Sequence, residues 1–168
     1  MRHFSFKIST SLPVTEKLFT GLHLCMIRTD KFERPYSISL ARQDGLCLRI
    51  RSFVYDIAPR TEVGSLLIEQ TTTLKDIDTA TWVKEFPEGF GTDIRLFALN
   101  VTASESQVES GLAIVGHGKE EFLILPGEMP HSIHVQPPFY TDPFKSEFRL
   151  SDYARVRLVD IPSSDRMR

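Results

Sequence analysis

The sequence predicts a mainly β protein, an antiparallel β-sandwich or β-barrel carrying one amphipathic helix at about residues 74–86. Three observations carry that reading. Apolar and polar residues alternate over most of the chain, the period of a strand with one buried face. Turn signals recur between the alternating runs and divide them into about nine or ten strands. The period changes to three and four residues once, at Leu74, Ile77, Ala80, Val83 and Phe86. At 168 residues the chain fits one domain that buries its core without needing disulfides or metal. We expect a single β-rich domain over residues 1–162 and a loose polar tail over 163–168.

In chain order, Phe4, Phe6 and Ile8 alternate with His3, Ser5, Lys7 and Ser9, a half-buried strand. Leu18 to Arg28 is a second, with Leu22, Leu24 and Met26 on one face and His23, Cys25 and Ile27 on the other. Residues 36–56 form a hairpin about Asp44-Gly45. A two-residue loop would set Leu40 against Arg49; a three-residue loop, Gln43-Asp44-Gly45, pairs Leu40 with Leu48 and Ile38 with Ile50 and leaves Ser37, Ser39, Arg49 and Arg51 on a wet face. A slip of one residue moves every side chain to the wrong side, so the three-residue loop is expected.

Ser65 to Thr71 follows as a short strand, and then the helix, opened by Thr73 and Asp76 and closed by Pro87. Ile94 to Val101 alternates as a strand, and Ser104-Glu105-Ser106-Gln107 reads as a capping box that would start a short helix over 104–110. The proline-rich run 136–145 cannot be a ladder strand, and Ala154 to Ile161 is the last strand.

Leu112 to Val115 and Phe122 to Leu125 flank a turn about Gly118-Lys119 and are apolar on both faces, which places them at the centre of the architecture. The expected pairing sets Val115 against Phe122, Ile114 against Leu123, Ala113 against Ile124 and Leu112 against Leu125. Ile133 and Val135 then point inward, His134 and Gln136 outward, and His117 sits at a turn tip.

Composition excludes several classes of function. Twenty Lys+Arg against 22 Asp+Glu, scattered along the chain, give a net charge of −2 and no basic stripe for nucleic-acid phosphates. The chain shows no run of the roughly 20 apolar residues that cross a bilayer and no signal-peptide core at its start, so we expect a cytoplasmic protein with no membrane partner. Cys25 and Cys47, outside any Cys-x-x-Cys unit, read as reduced core thiols.

No serine-nucleophile elbow, zinc-protease helix, P-loop or dinucleotide fingerprint is present, and Glu120 and Glu121 diverge as neighbours on a strand. The residues leave open whether the chain is an enzyme. The first expectation is a non-enzymatic binding or protein-interaction module without a cofactor. Its contact surface is the Pro/aromatic segment 137–148 with Phe139, Tyr140 and Phe144, and its partner is another protein or a second copy paired through edge strands.

The alternative comes from Glu121-Phe122-Leu123-Ile124-Leu125-Pro126-Gly127-Glu128-Met129-Pro130-His131-Ser132-Ile133. This run resembles the second conserved motif of the cupin β-barrels, where an apolar strand leads into Pro-Gly and then a metal-binding histidine. The resemblance implies that His131 holds a divalent metal in a cupin-like metal-dependent enzyme, or serves a small-molecule-binding barrel. His131 stands four positions after Gly127, one more than the usual spacing, and the His-x-His of the first cupin motif is absent upstream.

Overall fold

The computed structural model describes residues 1–72, 80–137 and 145–159. Its elements in order are β1 (Arg2–Phe4), β2 (Lys7–Ser9), a one-turn helix α1 (Glu16–Phe19), β3 (Leu22–Thr29), β4 (Pro35–Arg42), β5 (Leu46–Ala58) and β6 (Thr61–Thr72). Then come β7 (Trp82–Glu85), β8 (Arg95–Ala103), β9 (Ser106–Val115), β10 (Glu121–Pro126), β11 (Ile133–Gln136) and β12 (Ala154–Arg157), with single 3₁₀ turns at Phe90–Thr92 and Leu150–Asp152. One sheet runs β2-β6-β5-β4-β3-β7; the other runs β11-β10-β9-β8-β12, with β1 added to β9. The two sheets pack as a sandwich and do not close into a barrel. No helix among the described residues is long and apolar enough to cross a membrane.

The alternating apolar residues meet between the sheets. Ile38, Leu40, Leu48, Ile50, Leu66 and Ile68 face Leu96, Ala98, Leu112, Ile114, Phe122, Ile124, Ile133 and Val135 in one cluster. Leu18 and Phe19 of α1 join it, as do Phe86 and Phe90, stacked at 4.7 Å between ring centroids. A second cluster forms on the other face of the β8–β9–β10 sheet. There Ala113, Leu123 and Leu125 pack with Leu99, Val101 and Val108, and the long β5–β6 hairpin reaches over to add Ile57 and Val63. Cys25 and Cys47 are free and buried.

The β4–β5 hairpin takes the expected register, with Ile38 opposite Ile50, Ser39 opposite Arg49 and Leu40 opposite Leu48. Gly45 sits at φ +91°, where a side chain would be strained. The face expected to be wet is not: Ser37 and Ser39 are 1% and 0% exposed. Arg28 lies across it and donates to Ser39 Oγ at 3.3 Å, beside a small cluster of Met26, Ala41 and Cys47. Arg51 stays exposed and pairs with Glu69.

Four expectations are corrected. The helix expected over 74–86 is replaced where the structure describes it: Trp82–Glu85 pairs antiparallel with β3, Met26 opposite Val83 and Ile27 opposite Trp82. The free backbone edge of β3 accepts a ladder that aromatic and β-branched residues suit, and tertiary pairing overrides the three-and-four spacing. Residues 73–79 lie outside the described residues.

The short helix expected over 104–110 is a hairpin, in which Ser104 and Glu105 at φ +47° and +58° join β8 to β9. The first strand is two, because the chain bends at Ser5-Phe6 to serve both sheets; Phe6 is buried and Ile8 is 49% exposed. The β9–β10 hairpin is shifted by one residue, with Glu121 opposite Val115, Phe122 opposite Ile114 and Leu123 opposite Ala113.

Candidate functional site

The Pro126-Gly127 signal and the histidine beyond it become a tight, pinned turn. Gly127 N–H donates to Ser132 O at 2.8 Å, and Ser132 N–H donates to Met129 O at 3.1 Å. Ser52 of β5 holds the same corner from outside, donating from Oγ to Ser132 O at 2.9 Å. His131 adopts φ +65° in this turn and is exposed. The left-handed conformation, which histidine tolerates better than most residues, lifts its ring away from the strand line.

Beneath the turn is a cleft of about 120 Å³, walled by Ser52, Phe53 and Val54 of β5, Glu62 and Gly64 of β6, the turn residues 126–131, and Glu147. Gly64 is the residue that lets these parts meet. A Cβ there would lie 2.6 Å from Pro126 Cβ, so β6 passes under the turn only without a side chain. The strand is tied from behind by Ser110 Oγ, which donates to Gly64 O at 2.7 Å.

Glu147 reaches the cleft from the segment after residue 144. Its own N–H donates to Pro126 O at 3.0 Å, and Glu128 N–H donates to Lys145 O at 2.9 Å, so this segment lies along the turn. The Glu147 carboxylate accepts the Gly64 N–H at 2.9 and 3.2 Å. Burial pushes its pKa above the usual carboxyl value; the Gly64 N–H draws it back in part, and the nearby charge of Glu62 adds to the rise. Tyr153, whose OH accepts Phe148 N–H at 3.3 Å, is itself pushed up to about 12, mainly by burial.

The lining of the cleft therefore includes three glutamates, Glu62, Glu128 and Glu147, together with Phe53, Met129 and, at the turn, His131. No lysine or arginine is among the residues that line it. Such a lining attracts a cation and repels an anion. Among the described residues no three His, Cys, Asp or Glu side chains are grouped so as to hold a metal ion. Among the described residues, the ligand set that the cupin resemblance implies about His131 is not assembled.

The other sequence candidates are dispersed. His134, expected to point outward, is instead covered, 5% exposed, with Nε2 2.8 Å from Gln136 Nε2, and it does not join His131. His117 occupies the β9–β10 turn, its side chain 68% exposed and 4.0 Å from Asp93. Phe139, Tyr140 and Phe144 lie outside the described residues. The sequence reading missed Phe53, Glu62 and Glu147. One signal pointed there: a lone glycine inside a strand marks close approach of another backbone, and Gly64 stands in that position. Glu147 carried no local signal, because Gly64, the partner of its carboxylate, is 83 residues away along the chain.

A second, larger groove of about 350 Å³ lies at the start of β3, between Thr20–His23 and the segment from Phe86 to Thr92. His23, Gln43 and Glu88 line it together with Thr20, Thr92, Pro87 and three glycines. No protein family, curated protein or solved structure matches the chain.

Proposed function

We propose that this protein is a non-enzymatic binding module whose cleft at Gly64, residues 126–131 and Glu147 takes the cationic head of a ligand, an ammonium or guanidinium group presented by a protein partner. The observation that carries the reading is the Glu147 carboxylate, held over the cleft by Gly64 and kept partly desolvated beside Glu62. A cation entering there supplies the counter-charge that this carboxylate lacks, and the flat donors of a guanidinium suit paired carboxylate oxygens. Met129, which also lines the cleft, offers apolar contact for the stem of a lysine or arginine. A volume of about 120 Å³ suits one such head group, well below the roughly 300–1,000 Å³ of pockets for whole small molecules.

The segment 137–148 supports the same use. Its described end lies along the cleft turn through Lys145 O and Glu147 N–H, so the contact surface we propose continues from the cleft into this segment; Phe139, Tyr140 and Phe144 themselves lie outside the described residues.

The test is a titration of ¹⁵N-labelled protein with N-acetyl-arginine amide, followed at the Gly64 and Gly127 amides, with N-acetyl-glutamate amide as the control. Saturable shifts with the arginine compound alone are expected, weakened by about tenfold or more in Glu147→Gln. Equal shifts with both compounds, or none with either, would sink the proposal.

A further inference from the structure

The chain's first segment, β1 and β2, is the one pair of consecutive strands among the described residues that passes from one sheet to the other without a longer connection. Arg2, His3 and Phe4 pair in parallel with Ser106, Gln107 and Val108 of β9. Three residues on, Lys7, Ile8 and Ser9 pair in parallel with Leu67, Ile68 and Glu69 of β6. Each ladder is three residues long. Of residues 2–9 only Phe6 is buried, at 7% exposure, and Arg2, His3, Ser5, Lys7, Ile8 and Ser9 are all exposed. The remaining holds are these: Glu109 Oε1 accepts Phe6 N–H at 3.0 Å, Tyr55 OH donates to Ser5 O at 2.6 Å, Arg2 donates from its side chain to Ile57 O and from its N–H to Glu105 O at 3.3 Å, and half-buried Phe4 packs on the rim of the second cluster with its ring 4.9 Å from that of Tyr55. Short parallel ladders, little buried apolar surface and exposed backbone bonds mark the low-stability end of a fold.

We infer that residues 2–9 are a detachable strap: the segment opens as one unit about Phe6, and its opening bares the β6 and β9 edges together. Phe6 is the pin, because it alone enters the core cluster between the sheets. The two ladders share that pin, and losing it releases both. The groove left behind accepts back an extended parallel segment with an aromatic side chain at the middle position. Opening also reaches the cleft. Lys7 Nζ sits 4.4 Å from the centroid of the Phe53 ring, and Phe53 is part of the cleft wall, so a closed strap holds that wall and an open one frees it. The inference does not depend on what the cleft binds, and its test reads the backbone alone.

Hydrogen exchange of the intact protein is the first measurement. Amides of residues 2–9 are expected to exchange in one common step, faster than those of Leu112–Ile114 by about a hundredfold or more. Protection equal to that core, or separate rates for the Arg2–Phe4 and Lys7–Ser9 halves, would overturn the inference.

The second measurement adds a fluorescent synthetic peptide of residues 1–12 to the full chain carrying Phe6→Ala, whose fold is checked by near-ultraviolet circular dichroism. Saturable binding is expected, weaker by about a hundredfold or more when the peptide itself carries Phe6→Ala. No binding to a folded variant would count against the strap. Should Phe6→Ala not fold, Tyr55→Phe, which loses only the bond to Ser5, takes its place under the same criteria.

Discussion

The β4–β5 and β9–β10 hairpins are built from the same kind of material and differ in one respect. In β4–β5 each strand has an apolar face and a face carrying serine or arginine; Ile38, Leu40, Leu48 and Ile50 enter the core, and Ser39 and Arg49 share the other side. In β9–β10 both faces are apolar. Leu112, Ile114, Phe122 and Ile124 fill the space between the sheets, while Ala113, Leu123 and Leu125 build the second cluster behind. A register slip in the first hairpin would drive charge into the core; in the second it exchanges one set of apolar residues for another. Contrast between faces therefore specifies register, and hydrophobicity by itself does not.

Packing from outside supplies the missing choice in β9–β10. Phe122 lies 5.4 Å from Phe86 between ring centroids, and Gly116 runs beneath Phe90, where a Cβ would come within 2.6 Å of the ring. The largest expected effect tests that anchor. Phe122→Ala should cost about 3–5 kcal/mol in chemical denaturation. A loss no larger than that of an exposed residue would mean Phe122 does not face the Phe86–Phe90 stack.

Gly111→Ala is next. An added Cβ would sit 2.7 Å from Ile124 O across the sheet, so overpacking should cost about 1–3 kcal/mol by the same assay. In the alternative register that contact changes partner, and a neutral result would reopen the pairing.

The β4–β5 turn should respond less. Gly45 has nothing within 4 Å of a built Cβ, so Gly45→Ala meets only the strain of φ +91°, about 1 kcal/mol or slightly more. Melting should fall without any change in the cross-strand nuclear Overhauser contacts of Leu40 and Leu48. A shifted set of contacts would show that the turn, and not the face contrast, holds the register.

The smallest effect is at the cleft, where the far part of the β5–β6 hairpin meets the turn that leaves β10. Glu147 has a folded-state pKa above its ordinary value, so the folded protein holds this proton more tightly than the unfolded chain does. Its contribution is most favourable below the ordinary glutamate range and is lost as pH rises through the raised value. Glu147→Gln removes this slope, and the difference in melting temperature between variant and parent should grow in the variant's favour over that window. A constant difference across the window would show that burial does not govern this carboxyl.

The strand-rich class, the β4–β5 register, the central position of Leu112–Val115 and Phe122–Leu125, and the inward Ile133 and Val135 were all legible as local patterns. The cleft was legible only in fragments. Pro126-Gly127 and His131 stood out in the sequence, but their partners Phe53, Glu62 and Glu147 come from β5, β6 and a segment beyond β11. Nothing local distinguishes Glu147 from any surface glutamate. The Leu74-to-Phe86 spacing misled for a related reason: a period of three and four describes which side chains can share a face, and the open backbone edge of β3 outweighed it.

Residue order by itself determined the strand-rich class, which faces of the two-faced strands are apolar, and where most of the turns fall, since these follow from side-chain period and from the backbone limits of glycine and proline. Only the tertiary structure decided which of two equally apolar registers β9 and β10 adopt, which edges β1, β2 and β7 join, and which glutamates line the cleft under the 126–131 turn. Those outcomes depend on contacts between residues far apart in the chain, which become favourable only once both sheets are in place.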